Sequence, residues 1–188
     1  SYLKKKFEFE ILSEESENNI SFTKHKDQFW IIDPLDGTLN FSRRIPMSCI
    51  SISLWEKNWE NTKPVFSCIY DFNRNDIYYI DNNKCFVNKQ KLLTSNVADC
   101  SKGILFTGFP SLRNYRKKSL NEFLIRVKNW KKIRAIGSAA LALAWVARGW
   151  AEAYIEEDIR IWDVAAGLAL VKAAGGEILI QENDRPNF

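Results

Sequence analysis

Carboxylates are the residues in this sequence whose spacing most suggests chemistry. Four acidic groups stand out: Glu14-Glu15 after the apolar pair Ile11-Leu12, Asp33 and Asp36 within Ile31-Ile-Asp-Pro-Leu-Asp-Gly-Thr38, Glu156-Glu157-Asp158 after Tyr154, and Asp163 after Trp162. An exposed tight turn is the ordinary use of Asp-Pro-Leu-Asp-Gly, since Asp, Pro and Gly are common turn formers. Here the segment ends a hydrophobic run, which holds both carboxylates at the mouth of a core. Two acids this close raise each other's pKa unless a cation neutralises them. Pro34 stiffens the turn, and the Leu35 carbonyl offers one more oxygen to a hard divalent cation. His25 is the single histidine, and Cys49, Cys68, Cys85 and Cys100 form no CxxC pair. That argues against zinc or another softer metal and points to Mg²⁺, with Mn²⁺ as the alternative.

Gly37-Thr38 would add a second component. A helix starting there would aim free backbone N–H groups at the same space, and helix N-termini favour phosphate. Each remaining acid has an ordinary explanation when taken singly. Asp163 reads as a helix N-cap, Glu14 as a surface acid, and Glu156 to Asp158 as a solvated loop. Spacing alone does not bring these remote carboxylates together.

The elements that must position them change character along the chain. The first half reads as strands: Phe29 to Ile32 as a short buried strand, Met47 to Leu54 by alternation of apolar and small polar residues, and Val65 to Tyr70 with Ile77 to Ile80 as a hairpin around Asp71–Asp76. Lys102 to Phe109 could supply one more. The second half takes a helical period. Ser119 to Trp130 carries an apolar face of Leu120, Phe123, Leu124 and Val127. Ser138 to Arg148 is a helix capped by Ser138 and stopped at Gly149. Ala151 to Ile155 is a strand, and Asp163 to Ala174 a helix capped by Asp163 and ended by Gly175-Gly176. Glu177 to Ile180 returns as a strand. Helices rich in Ala and Gly imply close backbone packing, hence a layered α/β arrangement. The change of period near residue 110 divides the chain into a strand-rich half, 1–110, holding cation and phosphate ligands, and an α/β half, 111–188, completing the metal site and forming a substrate pocket.

Composition narrows the classes. The 188 residues are 46% hydrophobic and 13% aromatic, enough for a buried core. A formal charge of +4 arises from interspersed charges of both signs, so a nucleic-acid footprint is not expected. No apolar stretch reaches the roughly 20 residues of a spanning helix, and the charged Ser1–Phe9 segment is not a signal peptide. Unpaired cysteines fit a reducing compartment, so a cytoplasmic protein is expected.

Ile11-Leu-Ser-Glu-Glu-Ser16, Trp30-Ile-Ile-Asp-Pro-Leu-Asp-Gly-Thr-Leu-Asn-Phe41, Gly137-Ser-Ala-Ala140 and Trp162-Asp-Val-Ala-Ala-Gly167 with Ala174-Gly-Gly176 together resemble the inositol monophosphatase family of lithium-sensitive, magnesium-dependent phosphatases. The segments occur in the family's order and span almost the whole chain. The resemblance implies an αβαβα layered sandwich, shared with fructose-1,6-bisphosphatase, and a homodimer. It implies that Glu14, Asp33 and the Leu35 carbonyl hold one Mg²⁺, that Asp33, Asp36 and Asp163 hold a second, and that Glu14 helps with a third. Gly37 and Thr38 would bind phosphate through their amides, with Thr38 also orienting the attacking water. Gly137, Ser138 and Ala139 would line a sugar or polyol pocket, Glu156 would receive substrate hydroxyls, and Arg160 matches an arginine of bacterial members. Glu14, Asp36 and Thr38 are thereby the expected catalytic set. The implied reaction is hydrolysis of a small phosphate monoester by direct in-line attack of activated water.

Family members also carry N-terminal helices and a last strand and helix that this sequence lacks, so the chain is expected to be part of a longer protein. Ser13 matches the nucleotide-phosphatase branch, whereas Asn40 and Gly-Ser-Ala-Ala match the inositol branch. The alternatives are a 3′(2′),5′-bisphosphate nucleotidase, a fructose-1,6-bisphosphatase, or a truncated non-catalytic member. Glu156 favours a polyol, because a carboxylate accepts hydroxyl hydrogen bonds and repels a second phosphate.

Overall fold

A computed structural model describes residues 9–15, 28–56, 64–108 and 117–180. Its first sheet has seven strands in sequential order: β1 (Glu10–Ser13), β2 (Gln28–Asp36), β3 (Cys49–Glu56), β4 (Phe66–Asp71), β5 (Asp76–Asp81), β6 (Lys84–Val87) and β7 (Gln90–Lys91). β1 lies parallel to β2, and every later neighbour is antiparallel. A second sheet of three parallel strands follows, ordered β10 (Ala153–Ile155), β8 (Ile104–Thr107), β9 (Lys132–Ala135). The helices are α1 (Thr38–Ser42), α2 (Lys117–Val127), α3 (Ala139–Ala147) and α4 (Ile161–Ala173).

Turn chemistry explains the meander. In the β4–β5 turn Asp71 Oδ1 accepts from the Asn73 and Arg74 amides at 3.0 and 3.1 Å. The β5–β6 link is Asn82-Asn83 with φ of 47° and 60°, and the β6–β7 link is Asn88-Lys89 with φ of 46° and 74°. Two consecutive left-handed residues match the twist of a tight hairpin, and Asn tolerates that conformation best after glycine.

Alternation in β3 and β4 runs opposite to the usual polar-out rule. Ser51, Ser53 and Ser67 are buried, while Ile50, Ile52, Cys68 and Tyr70 on the other face are only half-buried. The small inward residues let α4 lie close: Ser67 Oγ donates to the Ala166 carbonyl at 2.8 Å. α4 meets the sheet with Ala165 and Ala169, and Gly167 faces α3, where a Cβ would overlap Leu143. All nine residues of α3 are buried, as an apolar-all-round helix must be. The main core joins β3–β6 to α3 and α4, so both halves of the chain share it. Burying a side chain such as Leu141 or Leu170 contributes about 1.5–3 kcal/mol.

Three sequence expectations are corrected. The strand expected at Phe29 to Ile32 continues through Asp36, because a bulge carries it past Pro34. Asp163 does not cap α4: Arg160 is the N-cap and Asp163 lies in the first turn, where its carboxylate accepts from the Arg160 amide at 3.2 Å. Glu177 to Ile180 forms no strand among the described residues, and Leu179 is 86% exposed. None of the helices among these residues is long and apolar enough to cross a membrane.

Candidate metal centre

The bulge in β2 is what makes Asp33 and Asp36 a pair. Residues three apart in a regular strand point to opposite faces. Here Asp33 faces Ser51 and Asp36 faces Cys49, so three steps on β2 match two on β3. The extra residue turns both carboxylates inward, at 1% and 8% exposure. Pro34 suits the bulge because it has no N–H to contribute to a ladder. The Leu35 amide, inside the bulge, donates to Asp33 Oδ1 at 2.9 Å.

Asp163 reaches the same place from the first turn of α4. Asp33, Asp36 and Asp163 each offer an oxygen within 4.8 Å of the others. Burial, followed by the neighbouring acids, pushes the Asp33 carboxyl up to about 7. The same causes, with Asp36 the strongest neighbour, push Asp163 up to about 8. Asp36 is also raised by burial, opposed by the Ser138 hydroxyl and by amides of Ala140, Ala139 and Gly37. Among the described residues no lysine or arginine pairs with any of the three. Such a group is held either by protons or by a cation. The all-oxygen donor set suits a hard divalent ion such as Mg²⁺ or Mn²⁺.

The other residues singled out in the sequence surround this cluster unevenly. Glu14 is exposed and lies outside the close group, yet its charge acts on Asp33 and Asp163. The parallel register explains its reach: Ser13, the last residue of β1, pairs with Ile32, so the turn that begins at Glu14 starts beside Asp33. The Leu35 carbonyl accepts from Thr38 Oγ1 at 2.9 Å. Thr38 opens α1 and is exposed. The first amides of a helix have no intrahelical acceptor, which leaves this turn facing outward beside the aspartates. Gly37 has φ +81°, and a Cβ there would sit 2.7 Å from the Met47 carbonyl and 3.2 Å from Ser138 Cβ. No residue but glycine fits.

Gly137 and Ser138 are brought against Gly37, but Ser138 and Ala139 are buried at 4% and 7% exposure. The Ser138 hydroxyl turns to Asp36 Oδ2 at 2.5 Å, and the Ala140 amide donates to the same oxygen at 2.7 Å. Glu156 receives the Tyr154 hydroxyl, and Tyr154 in turn feels the charges of Asp36 and Asp163. Arg160 is exposed, its guanidinium 6.0 Å from the Trp162 ring centroid.

The roles of two residues, Asn40 and Tyr154, do not follow from the sequence. Asn40 Nδ2 donates to the carbonyls of Met47, Ile136 and Gly137 at 2.8, 2.9 and 3.2 Å, tying α1 to the loop before α3. Tyr154 holds Glu156 and lies within electrostatic reach of Asp36 and Asp163. A buried-side amide just after a Gly-Thr turn is a weak signal that could have flagged Asn40; nothing in the sequence separates Tyr154 from a core tyrosine.

A family model described as the inositol monophosphatase family matches residues 1–184. The chain is 40% identical over 154 residues to Nus factor SuhB of Xylella fastidiosa, covering 79% of this chain and 54% of that protein. It is 36% identical over 161 residues to inositol monophosphatase 1 of Xenopus laevis, covering 80% and 53%. The inositol monophosphatase structure from Anabaena (Nostoc) superposes with a TM-score of 0.79 at 32% identity, covering 93% of this chain and 68% of that one. The chain thus spans a little over half the length of these curated relatives.

Proposed function

The chain belongs to the inositol monophosphatase family, and on that premise we propose that it is the cation- and substrate-binding portion of a Mg²⁺-dependent phosphatase acting on inositol monophosphate or a related sugar phosphate. The observation that carries this reading is the convergence of Asp33, Asp36 and Asp163 within 4.8 Å, two of them buried, with no basic partner among the described residues. Acids so placed cost stability unless they serve a cation.

Asp33, Asp36 and Asp163 hold the cations in this account, with Glu14 and the Leu35 carbonyl at the rim. A bound divalent ion supplies Lewis acidity, making water a better nucleophile and offsetting charge on the phosphoryl and leaving oxygens. Gly37 and Thr38 present their amides to the phosphate, a use of helix-start geometry that needs no reorganisation during reaction. The Thr38 hydroxyl, directed at Leu35 O, is placed to accept from and orient the attacking water. Glu156, held by Tyr154, accepts a substrate hydroxyl, and Gly137 with Arg160 borders the same side. Residues 1–110 then supply phosphate and most cation ligands, and residues 111–188 supply Asp163 and the polyol side. We further propose a homodimer, a cytoplasmic setting and inhibition by Li⁺.

The same cation chemistry would serve a bisphosphate nucleotidase or a fructose-1,6-bisphosphatase. Glu156 favours the polyol, because its carboxylate would repel a second phosphate. The test is phosphate release from inositol-1-phosphate, fructose-1,6-bisphosphate and a 3′-phosphorylated adenosine nucleotide, with Mg²⁺ or with chelator. The expected result is Mg²⁺-dependent release greatest from inositol-1-phosphate. Release unaffected by chelator overturns the cation role, and release greatest from either bisphosphate overturns the substrate class.

A further inference from the structure

The side chain most firmly tied to the acidic cluster is Ser138, which is not an acid and is almost out of contact with solvent. Its Oγ lies 2.5 Å from Asp36 Oδ2 and accepts from the Leu141 amide at 3.3 Å. A hydroxyl has one proton. The Leu141 amide takes one of its two lone pairs, and because an ionised carboxylate can only accept, the hydroxyl proton goes to Asp36 Oδ2. Asp36 Oδ2 also takes the Ala140 amide at 2.7 Å, and Cys49 Sγ stands 3.9 Å away. One oxygen of Asp36 is therefore saturated by donors from the start of α3.

We propose that Ser138 is a positioning residue: it locks Asp36 through Oδ2 so that Oδ1 is the oxygen presented to the cation. This rests on the functional reading above and replaces a substrate-lining role for Ser138, whose 4% exposure leaves it little to offer a substrate. Three features make the lock specific. Gly37, next to Asp36, fits so tightly that an added Cβ would come 3.2 Å from Ser138 Cβ, which fixes the separation of the two loops. Asn40 clamps the same loops through the Ile136 and Gly137 carbonyls. A charge-assisted O–H···O bond is short and directional, so it selects one carboxylate rotamer. Ligand atoms held by such partners lose cation affinity when the partner is removed, typically 10–100-fold.

The test measures Mn²⁺ binding by the purified protein and its Ser138→Ala, Ser138→Cys and Ser138→Thr variants, beside melting in chelator and hydrolysis of inositol-1-phosphate. Expected is Mn²⁺ binding weakened about tenfold in Ser138→Ala and several-fold in Ser138→Cys, with Ser138→Thr within about twofold of the parent. The cysteine variant keeps the side-chain shape and carries the test if the alanine variant does not fold. A role confined to capping α3 predicts lower melting in chelator with unchanged Mn²⁺ affinity, and that result overturns the proposal. Parent protein that binds Mn²⁺ without hydrolysing any ester overturns the phosphatase reading alone; parent protein that binds none overturns both.

Discussion

A carboxylate oxygen of Asp163, in the first turn of α4, lies within 4.8 Å of one from Asp33, at the bulge of β2. Burial and mutual repulsion raise both groups, Asp33 to about 7 and Asp163 to about 8. The fold thus keeps two acids where each is unfavourable as an anion.

A pH dependence follows. Both folded-state values lie above the ordinary 3.8, so the folded chain binds these protons more tightly than the unfolded chain. Their contribution to stability is fully present below about pH 4 and is lost as pH rises toward 8, by at most about 1.4 kcal/mol per group per unit. Melting in chelator should therefore fall between about pH 5 and 8 more steeply for the parent than for a protein carrying Asp33→Asn and Asp163→Asn. Saturating Mg²⁺ should remove the difference in slope. Parallel slopes in chelator would contradict the raised acids.

The same substitutions address function. Asp33→Asn and Asp163→Asn each remove a charged ligand while keeping size, so Mg²⁺-dependent phosphate release should drop by roughly 100-fold or more, beyond the effect of losing a supporting partner. Metal-free melting near pH 8 should rise in the same variants. Lost activity with lowered metal-free stability would point to an ordinary folding defect instead.

The meeting of Asp33, Asp36 and Asp163 follows the expectation that rests on the family resemblance of Asp-Pro-Leu-Asp-Gly-Thr and Trp-Asp-x-Ala-Ala-Gly, since spacing alone does not bring these acids together. What could not be read is why Asp33 and Asp36 share a face: that depends on one extra residue against β3, and β3 lies elsewhere in the chain. The serines of β3 and β4 were equally opaque, since alternation gives the two faces but not which one receives α4. Asn82-Asn83 and Asn88-Lys89 lack the glycine that usually marks a tight hairpin, so β6 and β7 went unseen. Ser138 is the helix cap that its sequence predicts, but its proton goes to an acid 102 residues earlier in the chain.

Gly37→Ala tests how tightly the turn proposed to hold phosphate is built. Its φ of +81° and the Met47 carbonyl 2.7 Å from an added Cβ require the backbone to move. The left-handed strain alone costs about 1–2 kcal/mol. Denaturant unfolding should show at least that loss, and hydrolysis should fall because Thr38 moves with the turn. Unchanged stability would mean the turn is looser than described.

Gly167→Ala separates packing from chemistry. A Cβ at this position would run into Leu143 Cβ and Cδ1, where α4 crosses α3. Overpacking of this kind costs about 1–3 kcal/mol, read as a lower denaturant midpoint. Mn²⁺ affinity of the folded variant should weaken as well if α4 is displaced, because Asp163 rides on that helix. A variant as stable as the parent would contradict the close helix contact.

The most direct test of the cation centre is an anomalous difference map from manganese-soaked crystals of the protein. A peak is expected about 2.0–2.6 Å from an oxygen of each of Asp33, Asp36 and Asp163, the range of hard-cation bonds to oxygen. A map with no peak among these three, or with manganese held only by other groups, would contradict it.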